Sequence, residues 1–165
     1  MNSRVKMNPT TRLALMALLV AIGTVGSSFL WFPVGIAKVD PLQHAINVIA
    51  AVLLGPGPAV AIAFLIGLIR NMLGVGTILA FPGGMVGAWL AGYLFTKIRK
   101  TWAAAVGEVI GTGVIGSLLS VPIAGLLMGK KVGALFYVPS FFISSFAGAI
   151  LGMIFVPILL KQRMR

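Results

Sequence analysis

The sequence predicts an all-α membrane protein of six transmembrane helices with both termini on the cytoplasmic side. Three observations carry that expectation. Mean hydropathy is +1.10, with 59% hydrophobic and only 9% charged residues, far too apolar for an ordinary soluble domain. Apolar runs follow one another, separated by Gly/Pro breaks or short basic clusters. Those clusters weigh unequally on the two sides of six spans, as membrane orientation requires.

One integral membrane domain is expected over 1–165, with helices at about 11–32, 41–54, 58–73, 84–98, 102–128 and 132–160. The apolar run from Leu13 to Phe32 follows a basic start and has no convincing cleavage site, so it is read as a retained first helix. Ala14, Ala17 and Ala21 share one face of it, a shallow surface for close approach by another helix, from this chain or a partner. Phe32 to Pro41 forms a loop, and Pro41 opens a helix to Leu54 that is short for a full span. Gly55-Pro56-Gly57-Pro58 is a break. The third helix carries Ala59, Ala63 and Gly67, and the fourth Gly84, Ala88 and Gly92, both at close-packing spacing. The fifth holds Gly107, Gly111 and Gly116 and is expected to kink at Pro122. Lys130-Lys131 turns the chain into the sixth, with Ser144, Gly148 and Gly152 in a row.

The stretch from Arg70 to Gly92 organises the rest. Gly74, Gly76, Pro82, Gly83 and Gly84 favour other backbone angles or remove a donor, so a helix end, a structured loop and a helix start are expected there. Non-helical backbone at membrane depth needs protein or a water-filled cavity around it, which makes the interruption either a pointer to a binding pocket or an ordinary turn.

One side of the six spans receives Arg4, Lys6, Arg12, Lys97, Arg99, Lys100, Lys161, Arg163 and Arg165; the other receives Lys38, Arg70, Lys130 and Lys131. The richer side is cytoplasmic by the positive-inside rule. The net charge of +11 therefore argues for a lipid bilayer, not for nucleic acid. Cysteine is absent, and one histidine with two acids leaves little for a metal cage, so no metal site is expected.

At ~1.5 Å of rise per residue, the scarce polar groups sort to one level near the outer surface. Asp40, His44 and Asn47 share a face of helix two, Asn71 ends helix three, Thr77 lies in the loop, and Ser120 and Tyr137 fall in the outer halves of helices five and six. Ser117, Ser140 and Ser144 lie at the same level. Trp31 and Phe81, with Phe141 and Phe142, offer flat walls for a ring. Each polar group has a structural alternative: Asp40 caps helix two or pairs with Lys38, Arg70 snorkels to the headgroups, and the serines bond their own helix. Glu108 counts to the cytoplasmic half of helix five, away from this cluster, which suggests a structural or coupling role.

No nucleophile-elbow pattern, paired acids or phosphate loop is found, so catalytic residues and a bound nucleotide are not expected in this chain. An ion-coupled secondary transporter using Glu108, or a membrane-embedded hydrolase using His44 and a serine, stays open as an alternative.

Lys38-Val39-Asp40-Pro41-Leu42-Gln43-His44-Ala45-Ile46-Asn47-Val48, the run from Arg70 to Met85, and Gly107-Glu108-Val109-Ile110-Gly111-Thr112-Gly113 together resemble the ThiW family, over nearly the whole chain. That family comprises substrate-binding S components of energy-coupling factor (ECF) vitamin transporters. The resemblance implies an S-component-like six-helix bundle in a prokaryotic cell membrane. Its substrate is then a small heteroaromatic precursor of thiamine, hydroxyethylthiazole, in a site near the outer surface. It also implies a transmembrane coupling protein and two cytoplasmic ATPases that bind the ATP and Mg this chain does not. The small-residue face of helix one would dock the coupling protein, with Ala17 and Ala21 forming the Ala-x-x-x-Ala unit that Leu18 interrupts at Ala14.

Overall fold

The computed structural model describes residues 7–34, 37–129 and 131–163. Arg4, Lys6, Lys130 and Arg165 of the charge count, and Gly35 and Ile36 of the first loop, lie outside the described residues. Six helices run alternately up and down: α1 Pro9–Phe29, α2 Pro41–Leu54, α3 Pro56–Met72, α4 Ala80–Ile98, α5 Thr101–Met128 and α6 Val138–Arg163. The start of α1 and the end of α6 lie at one end of the bundle, and the α1–α2 and α3–α4 connections at the other, called here the loop end. Residues Pro9–Phe29, Thr101–Met128 and Val138–Lys161 are long and apolar enough to cross a membrane unaided. The shorter α2 and α3 are apolar too.

Helix α2 is the centre of the bundle, with ten of its fourteen residues buried. It rests on α1, α3, α4 and α6, and Ile46, Val48, Ala50 and Ala51 join Ile62 and Ile66 of α3 in the core. Small residues allow these approaches. A Cβ on Gly148 of α6 would lie 2.5 Å from His44 Cβ, and one on Gly23 of α1 would strike Ile66. Helix α1 turns Leu19, Val20, Gly23, Thr24 and Ser27 inward. Ala14, Ala17 and Ala21 face outward, so the small-residue face of α1 is not used for packing within the chain.

Several boundaries differ from expectation. Helix α1 ends at Phe29, because Phe32–Val34 and Ala37–Val39 pair as a short antiparallel hairpin where a loop was expected. Helix α3 starts at Pro56, and α4 at Ala80, four residues before Gly84. In both, a proline falls in the first turn, Pro58 and Pro82, where the missing N–H has no intrahelical partner to lose. Gly83 and Gly84 are thus helical, and the interruption shrinks to Leu73–Leu79. There the Arg70 carbonyl accepts from the amides of Val75 (3.0 Å) and Gly76 (2.9 Å), and Gly74 takes φ +72°. Helix α6 begins only at Val138, after a turn through Gly133 to Tyr137.

The irregularity of α5 lies at Val109–Gly116, eight residues of π-helix upstream of Pro122. The reason is register against α4. A Cβ on Gly107 would lie 2.7 Å from Ala91 Cα, one on Gly111 2.7 Å from Gly87 Cα, and one on Gly116 would strike Gly83 Cα. The glycines step by four and then five, while their α4 partners step by four each time. The widened turns absorb the extra residue, keeping Gly116 against α4 and leaving Ile115 on the outside, 40% exposed.

Gly111→Ala drives a methyl group into the Gly87 and Val86 backbone and is expected to cost about 1–3 kcal/mol. Gly57→Ala, which meets nothing within 4 Å, should be neutral or slightly stabilising. Thermal unfolding of both in detergent checks the pair; equal midpoints would contradict the close α4–α5 contact.

Candidate functional site

At the loop end the helices enclose a cavity of about 110 Å³. Its polar lining comes from Asp40, Gln43 and His44 of α2, Arg70 of α3, Thr77 of the loop, Thr112 of α5, and Ser140 and Ser144 of α6; Phe141 supplies an aromatic wall. Gly83 and Gly84 of α4 present backbone on the remaining side. Their lack of side chains is what makes the space: a Cβ on Gly83 would sit 3.1 Å from the Phe141 ring, and one on Gly84 2.8 Å from Gln43 Nε2.

Two polar clusters hold the lining. In the first, Arg70 donates through Nη1 to Asp40 Oδ2 and to Gln43 Oε1 (2.7 Å), all three side chains being buried. Asp40 Oδ1 also accepts from the Gln43 amide (3.4 Å) as the cap of α2, and the Asp40 amide donates to Ser144 Oγ (2.9 Å). Arg70 therefore does not snorkel. A neutralised pair ties α2 to α3, and its Nε stays buried without a protein partner.

The second cluster corrects the placement of Glu108. Its carboxylate is fully buried, and Oε1 lies 2.7 Å from His44 Nδ1, 3.0 Å from Asn47 Nδ2 and 2.9 Å from Thr112 Oγ1. Asn47 also donates to the Gly84 carbonyl (3.1 Å), and Thr112 Oγ1 is 2.9 Å from the Gly83 carbonyl. Counting residues from Trp102 misjudged the level because α2 stops well short of the chain-terminus end. Gly92, six residues before the end of α4, already packs on Pro56 at the α2–α3 turn. Gly87 leaves room for the carboxylate; a Cβ there would lie 2.7 Å from Glu108 Oε2.

Of the residues expected at the site, Asp40, His44 and Thr77 line the cavity. Asn47 lies beneath it. Asn71 braces the α3–α4 loop, donating to the carbonyls of Gly67 (2.8 Å) and Thr77 (3.1 Å). Phe81 packs against Phe64 and Gly67, and Ser120 bonds the Gly116 carbonyl (2.8 Å) of its own helix. The Tyr137 ring stands behind Phe141, centroids 6.0 Å apart, and Trp31 is 41% exposed beside the hairpin. Gln43 and Thr112 were missed. Their signal was spacing, Gln43 three residues after Asp40 and Thr112 four after Glu108, which puts each on the face of an ionisable neighbour.

In a multi-pass helical membrane protein, this cavity lined from five helices offers a place for a small solute. The sequence model described as thiamine-precursor transporter protein (ThiW) matches residues 13–162. The chain belongs to that family, a family of transporters. A comparison with curated proteins found no match.

Arg70→Met leaves the Asp40 carboxylate buried without its cation and is expected to destabilise the protein by about 3–5 kcal/mol. Combining it with Asp40→Asn should recover much of that loss, which denaturant titration of the single and double variants reads directly. Losses that simply add would show the two side chains to be energetically independent.

Proposed function

We propose that this chain is the substrate-binding subunit of an ATP-driven ECF importer in a prokaryotic cell membrane, and that the cavity takes hydroxyethylthiazole. The observation that carries this reading is the cavity itself. Its volume of about 110 Å³ is well under the roughly 300–1,000 Å³ of drug-sized pockets, which suits one small ring better than a two-ring vitamin. Phe141 offers a face for the heteroaromatic ring, while His44, Thr77, Ser140 and Ser144 surround it with hydrogen-bonding groups. Arg70 is already paired with Asp40, and Glu108 Oε1 already accepts from Asn47, so an uncharged ligand brings no new charge to be matched.

The importer reading further assigns ATP and Mg to two partner ATPases and the power stroke to a coupling protein. The exposed Ala14, Ala17 and Ala21 face of α1 is the surface for that protein, with the cation-rich end of the bundle toward the cytoplasm.

Calorimetric titration of the purified chain with hydroxyethylthiazole should give one-to-one binding, weakened by about 1–3 kcal/mol in His44→Ala. Absence of binding by folded protein would remove the substrate assignment. Ala17→Trp should leave that affinity unchanged yet abolish uptake in cells supplying the coupling module. Full uptake by this variant would move the docking surface elsewhere.

A further inference from the structure

We propose that Glu108 is a positioning residue that fixes the proton of His44 on Nδ1, so that Nε2 faces a ligand as a hydrogen-bond acceptor and selects the free alcohol. This inference rests on the proposed function above and specifies how the same cavity reads its ligand.

The proton position follows from the neighbours. Asn47 could be drawn with its amide oxygen and nitrogen exchanged, but Nδ2 faces the Gly84 carbonyl, which can only accept. That fixes the amide: one N–H goes to Gly84 and the other to Glu108 Oε1. Oε1 is therefore an acceptor already engaged by a donor. With Glu108 ionised, His44 Nδ1, 2.7 Å from that oxygen, supplies the proton between them. In the neutral ring that the proposal requires, Nε2 is the pyridine-type nitrogen, with a lone pair to offer, whereas an imidazolium would carry a proton on both nitrogens. Its ring lines the cavity, whereas Asn47 and Glu108 are wholly buried beneath it.

The consequence is a chemical filter. A neutral hydroxyl donates to Nε2 and fits beside the paired ions. A phosphate monoester brings negative charge to an acceptor nitrogen backed by a carboxylate, in a cavity whose one guanidinium is already paired with Asp40. A fluorine in place of the hydroxyl keeps the size and removes the donor.

His44 is the sole histidine in the chain, so a ¹⁵N-histidine spectrum of the intact protein reports it without assignment. The expected spectrum has a pyrrole-type Nδ1 and a pyridine-type Nε2, the latter shifting on addition of hydroxyethylthiazole. Calorimetry should then rank hydroxyethylthiazole about 10- to 100-fold above 5-(2-fluoroethyl)-4-methylthiazole, with its phosphate ester weaker still. Glu108→Leu, which offers Nδ1 no acceptor, should lose the fixed tautomer and compress the alcohol-to-fluoride ratio. His44→Asn, which keeps a donor where Nδ1 stood, should fold and lose the ratio altogether.

A proton on Nε2 in the ligand-bound protein would overturn the proposal, as would equal affinity for the alcohol and the fluoride. Retention of the tautomer and of the ratio in a folded Glu108→Leu variant would show that Glu108 does not position His44. If the alcohol does not bind at all, the substrate assignment falls and this filter with it; if alcohol and fluoride bind alike, only the filter falls.

Discussion

A carboxylate with no access to solvent constrains the rest of this structure. Burying Glu108 without partners would be prohibitively costly, and burying it with them requires that α2, α4 and α5 arrive at one point in one register. His44 and Asn47 come from α2, one helical turn apart; Thr112 comes from the next turn of α5; Gly87 yields the space. Two of the residues that meet the carboxylate, His44 and Thr112, also line the cavity. Stability and recognition therefore share a set of hydrogen bonds, and a change that relaxes one disturbs the other.

The register is kept by backbone as much as by side chains. Helices α4 and α5 touch through glycines, and the π-helical turns at Val109–Gly116 let a five-residue step on one helix match a four-residue step on the other. Without that widening Ile115 would face α4. Pro82 belongs to the same arrangement. By starting α4 early, it turns Gly83 and Gly84 into a helical wall with no side chains, against which Gln43 and Phe141 can rest.

Much of this was legible in the amino-acid sequence. Length and hydropathy of the runs marked six helices, and the stretch from Arg70 to Gly92 was marked as the organiser of the chain, either a pointer to a pocket or an ordinary turn. Its conformation was not legible, because a proline followed by two glycines reads as a break unless the proline lies in a first turn, where it costs nothing. The i, i+4, i+7 spacing of Asp40, His44 and Asn47 showed a shared face. The depth of Glu108 was hidden because residue counting assumes helices that begin at equal levels, and α2 does not. Arg70 was misjudged for a similar reason. Its partner Asp40 is thirty residues away, and long-range pairing leaves no periodic trace. Aromatic residues were the least informative: Trp31, Phe81 and Tyr137 carry flat rings as Phe141 does, yet of these four only Phe141 lines the cavity.

The central claim is that this one cavity holds the thiamine precursor. A crystal structure of the protein grown with hydroxyethylthiazole tests it most directly. The account requires density for one ligand between His44 and Phe141, its ring along the Phe141 face and its hydroxyl within hydrogen-bond distance of His44 Nε2. Ligand density at the apolar groove between α5 and α6, lined by Trp102, Ile110 and Phe146, with the polar cavity unchanged, would contradict it.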